Sequence, residues 1–181
     1  MLLTAILFFT SSLTPTQLAI FQPFGIAPLE SSIRDSERIL GPGAPITGGH
    51  PHGGRAWRLA PNSQWLLYVD GFDPVNRPHD QSYLLFEVEL IKSSEFHCSK
   101  GPIPSKHSSA MGSFWVDETL ELSEASLVNR LKGAGLYVET DNQQVIVTPS
   151  KRVKEPHLVA TFLGSTKLQC VDFSRYSDPK R

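Results

Sequence analysis

Apolar and polar side chains alternate with a period of two in the middle of the chain. Trp65, Leu67 and Val69 interleave with Gln64, Leu66, Tyr68 and Asp70, which predicts a strand closed by the turn-forming run Asp70, Gly71, Phe72, Asp73, Pro74. Leu84, Phe86, Val88 and Leu90 interleave with Leu85, Glu87, Glu89 and Ile91, a second strand whose two carboxylates mark a face turned to water. Ser113 to Val116 reads as a short third strand. The period then changes to that of a helix: Ser123 is a cap, Ala125, Leu127, Val128 and Leu131 form an apolar stripe, and Gly133 and Gly135 end it. Beyond it the alternation returns in two hairpins. Leu136 to Thr140 and Gln144 to Thr148 flank Asp141, Asn142 and Gln143, and Leu158 to Leu163 and Lys167 to Phe173 flank Gly164 and Ser165. The expected fold is mainly β (α+β), an antiparallel sheet or small β-sandwich of about seven strands with one helix in this domain, since one helix offers few crossovers for parallel pairing.

Upstream of this region the texture differs. Leu2 to Phe9 is an unbroken apolar octet followed by Thr10, Ser11 and Ser12. It is far shorter than the roughly 20 apolar residues that span a bilayer, and it fits the apolar core of a secretory signal peptide. Residues 1–19 are therefore expected to be removed on export, with a cut after Ala19 or, behind Thr10, after Ser12. Residues 41–56 hold six Gly and three Pro, a composition that gains little apolar burial for the entropy lost on ordering. Before them Ser32, Asp35, Ile33, Leu40 and Gly41 place the cap, contacts and stop of a two-turn helix. Residues 20–56 are expected to form a Gly/Pro-rich leader or pro-segment, 57–174 the domain and 175–181 a polar tail.

Export gives the two cysteines a meaning. In an oxidising compartment Cys98 and Cys170 are expected to form a disulfide, closing a loop of about 70 residues for roughly 4 kcal/mol on the loop-closure model. None of Asn62, Asn76, Asn129 and Asn142 begins a glycosylation sequon.

Charge and motif content narrow the chemistry. In 181 residues, 17 basic side chains nearly cancel 18 acidic ones, which argues against nucleic acid as a partner. His50 and His52 in the glycine-rich stretch are weak candidates for copper binding. His79, His97, His107 and His157 belong to no HExxH or HxH pattern, and no G-x-S-x-G elbow occurs. No cofactor and no catalytic residue are expected. Were the protein an enzyme, Glu87, Glu89, His97 and His157 would supply the acid, base and imidazole of a small hydrolase or ribonuclease. Lys151-Arg152 is a dibasic pair open to processing. Phe72 and Phe96, in loops, are candidate contacts with a partner, and Trp57, Trp65 and Trp115 are candidates for a carbohydrate- or wall-binding platform. Residues 57–122 carry nine acids and five bases, whereas 151–181 carry seven bases and three acids, so a C-terminal hairpin at the sheet edge would give the domain a basic side.

An export signal, a Gly/Pro-rich leader and a small mostly-β domain with two cysteines and no catalytic motif together resemble the secreted effector proteins of plant-colonising fungi. The resemblance implies a protein that is secreted, enters or meets a host, and binds a host or extracellular protein to promote colonisation; a monomer is expected.

Overall fold

A computed structural model describes residues 13–45, 54–60, 63–71, 84–92, 103–104, 114–152 and 156–174, with 86, 103 and 104 described for the backbone alone. Among these residues nine strands and four α-helices follow one another as α1 (Pro15–Phe21), a 3-10 turn (Pro23–Gly25), α2 (Ile33–Leu40), β1 (Ala44–Pro45), β2 (Arg55–Arg58), β3 (Trp65–Gly71), β4 (Leu85–Lys92), β5 (Ile103–Pro104), α3 (Asp117–Leu120), α4 (Glu124–Gly133), β6 (Tyr137–Asp141), β7 (Gln144–Thr148), β8 (His157–Leu163) and β9 (Lys167–Ser174). Eight strands form one antiparallel sheet in the order β1-β2-β3-β4-β9-β8-β7-β6, and β5 joins β2 in parallel. The fold is thus a β-rich α+β fold built on a single sheet.

Local chemistry accounts for the elements. Thr14 accepts from the Gln17 amide while the Gln17 side chain accepts from the Thr14 amide, and Pro15 opens α1 where a missing N–H costs nothing. Ser32 and Asp35 form the same reciprocal box on α2, and the Ser32 hydrogen bonds hold the Asp35 carboxyl below its usual range. Ser123 caps α4. Asn142 and Gln143 both adopt positive φ in the β6–β7 turn, the geometry that matches the twist of two antiparallel strands.

Alternation then decides which face each side chain takes. Trp57, Trp65, Leu67, Val69, Val88, Leu90, Val171, Phe173, Leu158 and Ala160 line one face and are buried with Leu127 and Leu131 of α4. A register shift between Asp70 and Gly71 pairs Gly71 with Leu85, so Leu85 is buried and Leu84 is half exposed, the reverse of a strictly alternating strand.

Three expectations change. The described part of 20–56, expected as a leader or pro-segment, is built into the core: Ile20, Phe21, Ile26, Ile33 and Leu40 are buried, and the backbone of Leu29 and Ser31 pairs with Leu85. Trp57 donates its indole N–H to Gly41 O at 2.9 Å, Arg55 meets Glu37 at 3.1 Å, and a Cβ on Gly43 would lie 2.6 Å from the Trp57 ring. These contacts supply the burial that glycine and proline content alone does not reveal. Residues 114–116 are not a strand. Trp115 is buried with its indole N–H on Ile20 O at 2.7 Å, and Val116 leads into the one-turn α3. Finally, the C-terminal hairpin lies inside the sheet, because β9 pairs with β4, so it gives no basic edge.

Candidate functional site: the carboxyl-bearing face of the sheet

Residues directly paired in a sheet share a face, and the registers extend one row across six strands: Tyr68, Glu89, Asp172, Val159, Ile146 and Glu139. Asp70 pairs with Glu87 on one side of this row. On the other, Ile91, Cys170, Thr161, Gln144 and Asp141 form the next row. The face opposite the core therefore carries six carboxyls, Asp70, Glu87, Glu89, Asp172, Glu139 and Asp141. The bases flanking them among the described residues are Arg58 at the β2 end and Lys167 at the β8–β9 turn. Burial grades along the face: Tyr68 and Asp70 are buried, Glu87, Glu89, Cys170 and Asp172 are half-buried, and Glu139 and Asp141 are exposed.

The half-buried end holds protons. Glu89 sits between Tyr68 and Asp172, and its pKa is raised first by burial, then by its hydrogen bond to the Asp172 carboxyl and by the negative charges of Asp172 and Glu87. Cys170 Sγ donates to Asp172 Oδ2 at 3.8 Å, and burial together with the Asp172 charge pushes the thiol up to about 12. Tyr68 donates to Asp70 Oδ2 at 3.0 Å, and burial raises its pKa, with the Asp70 and Glu87 charges adding to the effect. At the exposed end, Tyr137 donates to Glu139 Oε1 at 2.7 Å. A protonated thiol and phenol are poor nucleophiles. Among the described residues no group of three or more His, Cys, Asp or Glu is arranged to hold a metal ion.

Of the residues singled out from the sequence, Glu87 and Glu89 lie on this face. His157 begins β8 on the same face, paired with Ser174, and is buried. Cys170 is a free, half-buried thiol. Cys98, its expected partner, lies outside the described residues, among which no bridge occurs. His50, His52, Phe72, Phe96 and His97 also lie outside the described residues. Lys151 and Arg152 are exposed in the link between β7 and β8. Trp57, Trp65 and Trp115 are all buried, so they form no aromatic platform for carbohydrate. Tyr68, Asp70 and Asp172 were missed. Their alternation with apolar neighbours places them on the polar side of a strand, but only the long-range β4–β9 pairing brings Asp172 to Glu89.

Among the described residues no helix is long and apolar enough to cross a membrane. No family model, no curated protein and no solved structure matches this chain.

Proposed function

We propose that this protein is exported and works outside the cell as a non-enzymatic binding module, joining a host or other extracellular protein and promoting colonisation of that host. The observation that carries the reading is the carboxyl-bearing face: adjacent rows across the sheet, rich in acids and poor in bases among the described residues, whose exposed end at Glu139 and Asp141 is open to solvent. Such a face suits a partner with a basic surface, because complementary charge steers encounter and suppresses wrong partners. The apolar opening octet supports export.

The test uses purified secreted protein immobilised and challenged with host extracellular fluid. Wild type is expected to retain a basic protein saturably, and the double variant E139K/D141K to lose it about tenfold or more while melting at the wild-type temperature. Equal retention by both, or no saturable binding, contradicts the reading.

A small His/carboxylate hydrolase is the second reading, favoured by Glu87, Glu89 and His157 on one face. RNA cleavage by the purified protein that disappears in H157A would move the assignment to it.

A further inference from the structure

We infer that the chain, exported as proposed above, is cut between Ser12 and Leu13, so that the working protein begins at Leu13. This rests on the export reading and adds to it the position of the processing site. Export peptidases require small residues one and three positions before the scissile bond. Ser12 and Thr10 meet the requirement, whereas a cut after Ala19 would place Gln17 at the outer position.

The fold points to the same bond by a separate route. Cleavage precedes folding, so the structure bears on which product can fold. Thr14 and Gln17 form the reciprocal cap of α1, and Gln17 Nε2 reaches across to Ala134 O at 3.2 Å, satisfying a carbonyl at the end of α4. Gln22 N–H donates to Leu18 O at 2.8 Å. A cut after Ala19 removes the cap, the brace on α4 and that acceptor together. It also converts the amide of Ile20, a residue with no exposed surface, into a charged ammonium beside the carbonyl that accepts from Trp115. A buried charge without a counter-ion is among the costliest changes a core can receive. A cut after Ser12 leaves every one of these contacts in place and puts the new ammonium on Leu13, which is partly exposed and one residue ahead of the cap. The step is ordinary peptide hydrolysis: one water adds across the Ser12–Leu13 bond, leaving a carboxylate on Ser12 and an ammonium on Leu13.

The full chain, carrying its own first residues and a C-terminal tag, is expressed in a secreting yeast, and medium and cells are analysed by intact mass and N-terminal sequencing. Protein in the medium beginning at Leu13 is the expected result, with S12F reducing that species about tenfold or more. A secreted chain beginning at Ile20, or at any other position, overturns the processing site while leaving export standing. Protein confined to the cells with Met1 retained overturns the export reading beneath it.

Discussion

Replacing Trp115 with alanine is expected to destabilise the protein by about 3–5 kcal/mol, the usual cost of deleting a large buried aromatic. Whole domains are stable by only about 5–15 kcal/mol, so much of the population should be unfolded at elevated temperature. Trp115 has no exposed surface, and its ring meets Phe114 and Phe173 edge-on at 5.0 and 5.7 Å. Its indole N–H reaches Ile20 O at 2.7 Å. The side chain thus joins the N-terminal helix, the segment before α3 and the strand at the middle of the sheet. Phenylalanine at this position keeps most of the ring contact but leaves the Ile20 carbonyl without the indole donor, for an expected loss of about 1–2 kcal/mol. Urea unfolding followed by circular dichroism reads both. If alanine cost no more than phenylalanine, the ring would not be the joint the packing makes it.

The second large effect concerns pH. Glu89 binds its proton more tightly in the folded chain than in the unfolded one, because burial and the Asp172 carboxyl disfavour its ionised form. Below its ordinary value of 4.5, both states hold the proton and the folded arrangement has its full stability. As pH rises above that value the unfolded chain releases the proton while the folded one retains it, so stability falls until the folded group ionises in turn. Cys170 adds a second loss in the alkaline range, where the unfolded thiol ionises first. Between pH 5 and 8 the Glu89 contribution is expected to amount to about 2 kcal/mol, from the relation of 1.36 kcal/mol per unit of pKa and with allowance for partial exposure. Glu89→Gln keeps a donor toward Asp172 and removes the titration. This variant should therefore show a flatter stability profile over that range and exceed wild type at pH 8. A wild-type profile that rises with pH, or a slope unchanged in the variant, would contradict the proton-holding pair.

The pattern of alternation made much of this fold legible. The strands around Trp65 to Val69 and Val88 to Leu90, both C-terminal hairpins, α4 and the boxed start of α2 all stand where local residue chemistry places them, because each is specified by neighbours a few positions away. What escaped was non-local. Nothing within Leu168 to Ser174 says that β4 will be its partner, yet that pairing makes one sheet of two halves and creates the Glu89–Asp172 contact. The packing of the N-terminal segment is hidden for a different reason. Its glycines and prolines suggest an unpacked chain, but Gly43 is needed where the backbone passes the Trp57 ring, and Ile33 and Leu40 are buried by contacts that α2 cannot make alone. Trp115 sits just ahead of a one-turn helix, where a short strand and a buried plug have the same apolar pattern.

The segment from Leu13 to Pro45 and the sheet are expected to form one cooperative body, and native-state hydrogen exchange of the purified protein distinguishes this from two independent parts. The amides to compare are Leu29, which donates to Leu85 O, Ser36, which donates to Ser32 O, and those of the paired β4 and β9 strands. One shared opening free energy, falling with urea along the same line for all of them, is the predicted result. Exchange of Leu29 and Ser36 through a low-energy opening insensitive to urea, with the sheet still protected, would show the segment to open independently and would contradict a single cooperative body.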